Sequence, residues 1–145
     1  MFFLGVDVGK RGGLAVVKAD PTVFQVFPYS DAKLKEICEV YGGELKATVE
    51  QVHSMPRDSN QGAFRFGQSF GYILGMLEAF GIPYQLVPPQ KWQKEYSLGS
   101  KTDSVETAKR LFPGINLLPT ERSRKESDGM SDAILIAEFG RRHMK

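Results

Sequence analysis

Two short apolar segments near the N-terminus constrain the fold more than any other feature of the sequence. The segments FFLGVD (2–7) and GLAVV (13–17) are too short for helices, and the linker VGKRGG between them supplies the glycines of a tight turn. We therefore expect a β-hairpin. A third segment, VFQVF (23–27), alternates apolar and polar residues and is predicted to continue the hairpin as a third strand.

The rest of the chain alternates between helical and strand patterns. Helices are predicted over about residues 31–41, 62–80, 103–112 and 128–142, with a short one around Trp92, and strands over 46–52 and 84–87. This order predicts an α/β fold with a five-stranded mixed sheet, three antiparallel strands and then two parallel ones, flanked by helices on both faces. Because no linker or repeat interrupts it, residues 1–145 are expected to form a single domain.

Composition excludes several classes of protein. The chain contains no run of about 18 apolar residues, so a membrane-spanning helix is not expected. Its N-terminus lacks the basic region of a signal peptide. Cys38 is the only cysteine, which excludes an internal disulfide and a cysteine-rich zinc site. These features predict a cytoplasmic protein with no membrane partner.

The positive charge of the chain is concentrated in one stretch. The net charge is +2, but residues 86–125 hold eight basic and four acidic side chains, a local excess of four. Such a stretch is suited to the phosphate backbone of DNA, although a solvated helix face and loop would have the same composition. The predicted DNA contacts in this stretch are Lys91, Lys94, Lys101, Arg122, Arg124 and Lys125.

Four carboxylates occupy positions at which a lone acid would be unfavourable or would need a partner. Asp7 ends the first strand, and Glu50 lies inside KATVEQV, the fourth strand. Asp128 and Asp132 stand one turn apart on the last helix. Each has a simpler explanation: Asp7 caps a turn, Glu50 is exposed on an edge strand, and the last two favour the positive end of a helix.

Together the four acids predict a metal site. Hard divalent cations bind several oxygen ligands, and Mg²⁺ usually takes one or two carboxylates as well as water and substrate phosphate. A pair of such ions can activate water and stabilise the leaving oxygen of a phosphodiester. The order of the carboxylates therefore favours Mg²⁺-dependent phosphodiester hydrolysis, with Mn²⁺ able to substitute.

Four sequence blocks resemble the RuvC-type Holliday-junction resolvases, and most closely the small versions carried by bacteriophages. They are FLGVDVGKRGGLAVV, VEQVHSMP, FRFGQSFGYILGMLEAFGIPYQLVPPQKWQK and SDGMSDAILIAEFGRR. The resemblance implies an RNase H-like fold, a homodimer, and Mg²⁺-dependent nicking of two opposed strands at a four-way junction. It places the catalytic and metal-binding acids on Asp7, Glu50, Asp128 and Asp132. The last pair is four residues apart, whereas cellular members usually have three, so Asp132 is the firmer match.

Three other interpretations are also compatible with the sequence. The same fold serves nucleases that act on flaps, forks or RNA–DNA hybrids. A non-catalytic junction-binding module would share the fold without cutting. The segment GVDVGKRGG also resembles the first phosphate loop of the actin and sugar-kinase ATPases, but those enzymes need two such lobes, so no nucleotide cofactor is expected.

Further residues are candidates for the interfaces with DNA and with a second subunit. Lys10 and Arg11 follow Asp7 directly and are within reach of a bound phosphate, and Phe64 is a candidate wedge between bases. Three glycines recur every four residues on the long helix, where each costs roughly 1 kcal/mol relative to Ala. Close approach of a second subunit would justify them, as would tight packing on the chain's own sheet. They are Gly67, Gly71 and Gly75.

Overall fold

The computed structural model describes residues 1–51, 59–99 and 101–144, and only the backbone of residues 101–103. Its strands are β1 (Phe2–Asp7), β2 (Gly13–Lys18), β3 (Phe24–Pro28), β4 (Leu45–Glu50) and β5 (Tyr84–Val87). Its helices are α1 (Asp31–Tyr41), α2 (Asn60–Ala79), α3 (Pro89–Glu95), α4 (Lys101–Leu111) and α5 (Asp128–His143), with a 3-10 turn at Gly42–Glu44.

The five strands form one mixed sheet in the order β3-β2-β1-β4-β5. Strands β1, β2 and β3 pair antiparallel, whereas β4 is parallel to both β1 and β5. The predicted sheet is therefore confirmed. Because β1 and β4 run in the same direction, with Val6 opposite Val49, their last residues Asp7 and Glu50 lie at the same edge of the sheet.

The turn between β1 and β2 depends on its glycines. Gly9 has a φ of 135°, a backbone conformation that residues other than glycine rarely adopt. The amide of Gly12 donates to the carbonyl of Gly9 at 3.0 Å, and a Cβ on Gly12 would collide with the carbonyl oxygen of Asp7. The turn therefore folds back closely beside Asp7.

Helix α5 lies directly on one face of the sheet. A Cβ on Gly5 would collide with the backbone of Ala133 and Ala137, and a Cβ on Gly13 would collide with the backbone of Gly129. Glycine on the strands thus lets the helix backbone approach β1 and β2 closely. Trp92 of α3 and Phe112, which follows α4, are fully buried beside α5 in the same cluster.

Helices α1 and α2 cover the opposite face. Leu34 and Ile37 of α1 pack with Ile73 and Leu77 of α2 against the strands. Helices thus flank the sheet on both faces, as predicted. Burial raises the pKa of the Cys38 thiol on α1 to about 11, which keeps this cysteine unreactive.

One prediction about the core was wrong. The helical periodicity of residues 62–80 predicts that Phe80 lies on the buried apolar face, but its side chain is 39% exposed. Helix α2 ends at Ala79, and Phe80 is its C-cap with φ −88° and ψ 0°. The helical periodicity that placed Phe80 on the buried face therefore no longer applies at this residue.

Within residues 1–51, 59–99 and 101–144, no helix is both long and apolar enough to cross a membrane.

Candidate active site

Asp7 and Glu50 reach the site from the sheet. Both end parallel neighbouring strands, so sheet register alone brings them to one edge. Glu50 is only 8% exposed. Its Oε2 accepts a hydrogen bond of 2.6 Å from the indole nitrogen of Trp92, which belongs to α3. A buried carboxylate is thus hydrogen-bonded by a charge-assisted contact that offsets part of its desolvation.

Asp128 and Asp132 reach the site from the first turns of α5. Ser127 caps this helix by accepting a hydrogen bond from the amide of Met130 at 3.1 Å, so Ser127 is the N-cap. Asp132 accepts a hydrogen bond of 2.5 Å from the hydroxyl of Ser104 on α4. The two aspartates therefore lie in the first two turns of α5, one helical turn apart.

All four acids line one open cavity of about 660 Å³, which we call the carboxylate cavity. Its wall is built from the β1–β2 turn, the end of β4, the start of α3 and the segment that leads into α5. Its polar and charged lining residues include Asp7, Lys10, Arg11, Glu50, Gln93, Lys125, Glu126, Ser127, Asp128 and Asp132. The structure thus brings together acids that are up to 125 positions apart in the sequence.

The donor set suits a hard divalent cation, because carboxylate oxygens are the ligands that Mg²⁺ and Mn²⁺ prefer. Among the residues that the structure describes, however, no three His, Cys, Asp or Glu side chains stand close enough together to form a ready-made metal cage. Because Mg²⁺ usually takes only one or two carboxylates, its other ligands would be water and substrate phosphate in the open cavity. Its openness leaves room for water and phosphate oxygens to complete the coordination.

The predicted basic residues fall into two groups. Lys10, Arg11 and Lys125 line the carboxylate cavity, where their charges balance part of the acidic wall. The others with described side chains are exposed and are not part of that lining: Lys91, Lys94, Arg122 and Arg124. The side chain of Lys101 lies outside the described residues.

A second cavity, of about 540 Å³, adjoins the first and shares Gly9 and Lys10 with it. Arg65 and Phe66 of α2 line this cavity. Sequence reasoning missed Arg65, because a single basic residue on an amphipathic helix has no distinguishing local signal. Its position near Lys10 is evident only once α2 is packed against the sheet.

The predicted interface residues on α2 are exposed. The side chain of Phe64 is 66% exposed. A Cβ added to Gly67, Gly71 or Gly75 would meet no heavy atom of the described residues within 4 Å. These glycines therefore do not serve tight packing against the chain's own sheet, which was the alternative explanation for them.

The comparisons with known proteins identify the fold. The structure of Thermus thermophilus RuvC in complex with a Holliday junction substrate matches with a TM-score of 0.65 and 20% sequence identity, over 94% of this chain and 90% of that one. A second Thermus thermophilus RuvC structure matches with a TM-score of 0.66 and 18% identity, over 98% and 96% of the two chains.

In comparisons of sequence, neither a protein-family model nor a curated protein matches the chain. Structural likeness at this level of identity establishes a common fold rather than a common activity. It agrees with the mixed sheet and with the helices on both of its faces. This chain therefore has the RNase H-like fold of the RuvC structures, and the RuvC-type resemblance predicted from the sequence is confirmed at the level of the fold.

Proposed function

We propose that this chain is a Mg²⁺-dependent endonuclease that nicks Holliday junctions or other branched DNA as a homodimer. One observation carries the proposal: Asp7, Glu50, Asp128 and Asp132, from distant parts of the chain, line the same open cavity. Four acids around one cavity repel each other unless a cation or protons offset their charge. Metal-assisted phosphodiester hydrolysis is the chemistry that such a site suits best.

The acidic and basic residues of the cavity would have different roles in the reaction. The four carboxylates would hold the metal, and Lys10, Arg11 and Lys125 would hold the oxygens of the DNA phosphate on the same cavity wall. When bound, Mg²⁺ supplies the positive charge that activates water and stabilises the leaving oxygen. Because the cavity opens to solvent, a DNA backbone and the attacking water have access to it.

The choice of substrate rests on the structural relatives. One of the two RuvC structures contains a Holliday junction, which makes junction DNA the first substrate to test. Flaps, forks and RNA–DNA hybrids are substrates that the same carboxylate chemistry would serve. We expect the enzyme to act on DNA in the cytoplasm, without a nucleotide cofactor.

A cleavage assay tests the proposal directly. The purified chain is incubated with four-way, three-way, flap and linear DNA and with an RNA–DNA hybrid, in Mg²⁺, in Mn²⁺ and in chelator. We expect paired nicks in the four-way junction that require metal and disappear in Glu50→Gln. Cleavage of another substrate in preference would reassign the specificity. Junction binding with no cleavage in either metal would instead establish a non-catalytic binding module.

The homodimer is proposed from the exposed face of α2. Along this face Gly67, Gly71 and Gly75 leave the helix backbone uncovered, beside Phe64 and Tyr72, whose side chains are 66% and 40% exposed. A helix backbone bared by glycines at four-residue spacing permits close approach of a second helix. A two-fold dimer would present two carboxylate cavities to two opposed strands of a junction.

Light scattering of Gly71→Leu tests this interface. The added side chain should block close helix approach and shift the protein to monomer, with loss of paired incision. Gly43→Leu is the matched control, because a Cβ on Gly43 also meets no described atom within 4 Å, while Gly43 belongs to the 3-10 turn Gly42–Glu44 and not to α2. A Gly71→Leu protein that remains dimeric would place the interface elsewhere.

A further inference from the structure

Two of the proposed metal-binding carboxylates accept hydrogen bonds from residues that lie outside the lining of the carboxylate cavity. The indole of Trp92 donates to Oε2 of Glu50 at 2.6 Å, and both side chains are buried. Trp92 offers one donor and no acceptor, so the direction of this bond is fixed. Rotation of the Glu50 carboxylate is therefore restricted to orientations that keep Oε2 on the indole.

Ser104 donates a hydrogen bond to Asp132, as Trp92 does to Glu50. Its hydroxyl donates to Oδ1 of Asp132 at 2.5 Å and lies 2.6 Å from the hydroxyl of Ser131. An ionised carboxylate only accepts, so the single hydroxyl proton of Ser104 points to Asp132. Ser131 can then donate to Ser104 or to the carbonyl oxygen of Asp128, which is 2.9 Å away. Both serines are fully buried, so solvent does not compete for these bonds.

Helix α3, which carries Trp92, is itself fixed to the end of α5. Glu95 contacts the imidazole of His143 at 2.6 Å and the guanidinium of Arg142 at 3.3 Å. The hydroxyl of Tyr96, just after α3, donates to the carbonyl oxygen of Leu135 at 2.7 Å. These contacts hold the C-terminal end of α3 against α5. The indole of Trp92 is thus positioned by a helix that is anchored at a distance from the carboxylate cavity.

We propose that Trp92 and Ser104 are positioning residues, which orient Glu50 and Asp132 for the metal without touching metal or DNA. Neither belongs to the described lining of the carboxylate cavity. The inference rests on the proposed function, because it assumes that these carboxylates bind a divalent cation. Groups that support metal ligands in this way typically contribute 10- to 100-fold to metal affinity or activity.

Ser104→Ala tests one half of the proposal, with Ser131→Ala as its matched control. Both variants remove a buried helical hydroxyl, and in the wild type these two hydroxyls are hydrogen-bonded to each other. Only the hydroxyl of Ser104 donates to a carboxylate side chain. Mn²⁺ affinity is measured in the absence of DNA from the electron paramagnetic resonance signal of the free ion. We expect Ser104→Ala to weaken Mn²⁺ binding by roughly 10-fold or more and Ser131→Ala to leave it unchanged.

The Trp92 half needs a change that removes the N–H group but keeps the shape of the ring. Trp92 is the only tryptophan of the chain, so growth of a tryptophan auxotroph on benzothienyl-alanine replaces the indole at this position alone. We expect a similar loss of Mn²⁺ affinity. Phe112→Leu, which alters a buried aromatic residue away from the cavity, controls for general loss of stability and should leave the affinity unchanged.

Nicking kinetics provide a second readout. At saturating junction DNA the two positioning variants should lose turnover, while KM for the junction stays that of the wild type, because neither side chain lines the cavity. If Ser104→Ala and the benzothienyl protein bind Mn²⁺ as tightly as the wild type, the positioning roles are overturned and the proposed nuclease survives. If wild type and Asp7→Asn bind Mn²⁺ equally poorly, the metal site itself is overturned.

Discussion

Helices α5 and α2 are both long and amphipathic, but they differ in how many of their residues are buried. Of the 16 residues of α5, eleven are buried, whereas only Ile73 and Leu77 are buried among the 20 residues of α2. Helix α5 contacts four strands of the sheet. Helix α2 packs on the opposite face of the sheet through one side of the helix only. The helix that carries two of the proposed catalytic acids is thus the one most deeply embedded in the core.

The glycines of the two regions differ in the same way. Gly5, Gly13 and Gly129 are required because any Cβ would collide with backbone of α5 or of the β1–β2 turn. On α2, Gly71 and its neighbours in the stripe have no described atom near the place of a Cβ. Glycine therefore serves precise internal docking in one region and an open face in the other.

This contrast shows how one small domain could hold the proposed metal site and still offer the proposed subunit interface. Carboxylates on a buried helix and on central strands keep their relative positions, which a metal site needs. An interface needs surface that the chain itself leaves uncovered. The two requirements are met on opposite faces of the sheet.

The largest expected effect is on the α5 side of the comparison. Asp132→Asn should reduce nicking by more than about 100-fold, the upper end of the loss when only a supporting group is removed. Asp128→Asn should retain residual activity, because its spacing departs from the family pattern. Junction binding in chelator should persist in both variants, since shape is kept and negative charge is removed. Gel-shift and cleavage assays measure the two properties separately, and near-normal cutting by Asp132→Asn would remove it from the site.

The glycine contrast predicts opposite signs for the same substitution. Gly13→Ala should destabilise the fold by about 3 kcal/mol, the upper end for overpacking, because the colliding atoms are backbone atoms of α5. Gly71→Ala should stabilise the fold by up to about 1 kcal/mol through helix propensity. Urea unfolding at protein concentrations where the chain is monomeric measures both. A stability loss in Gly71→Ala under those conditions would show that α2 is covered within the chain.

Acid sensitivity is predicted for a buried carboxylate on α5, that of Glu138. Burial alone would raise the pKa of Glu138, but hydrogen bonds and charges from Arg141 and Arg142 outweigh it and lower the pKa below the ordinary 4.5. Its stabilising contribution is therefore complete above pH 4.5 and is lost as the pH falls through the lowered value. Glu138→Gln should cost about 1.5 kcal/mol at neutral pH, and the difference from wild type should shrink in acid.

Glu78→Gln on α2 is the matched control for this measurement. Glu78 is exposed and accepts a hydrogen bond from Tyr84, which the amide oxygen of glutamine can also accept. Urea unfolding at neutral pH should show a smaller loss of stability for this variant than for Glu138→Gln, because its hydrogen bond from Tyr84 is retained. A constant effect of Glu138→Gln from neutral to acid pH would show that its carboxylate charge contributes nothing.

The smallest expected effect concerns the salt dependence of DNA binding. Lys125→Ala, inside the carboxylate cavity, should flatten the log–log dependence of junction affinity on salt by about one unit. Arg65→Ala on α2 should have the same effect only if the bound DNA reaches the second cavity. Titrations at several salt concentrations measure both slopes. An unchanged slope for Lys125→Ala would mean that DNA does not pass over this wall of the cavity.

Much of the fold was predictable because its signals are local. The hairpin follows from two apolar runs around a glycine turn, and observed strand β2 ends one residue from its prediction. Helix α5 begins at Asp128, where its predicted range also begins. The mixed pairing of the sheet, three antiparallel strands and then two parallel ones, followed from the order of the elements.

The site was predictable only in part. The four acids were recognisable because carboxylates inside strands, or one turn apart before an apolar run, stand out against their neighbours in the sequence. The basic residues had no such contrast. Of six predicted in residues 86–125, Lys125 alone is shown to line the cavity, and the side chain of Lys101 is not described. Net charge indicates how much positive charge a segment carries, but not which way each side chain points.

The sequence by itself determined the elements of this protein, their order and the acids at their ends, because each depends on residues close together in the chain. Only the tertiary structure decided that Trp92 and Ser104 donate hydrogen bonds to Glu50 and Asp132, contacts that span 42 and 28 residues. It also decided that Gly13 faces α5 whereas Gly71 faces open space. Such pairings depend on how whole elements pack, and periodicity within one element carries no information about its neighbour across the core.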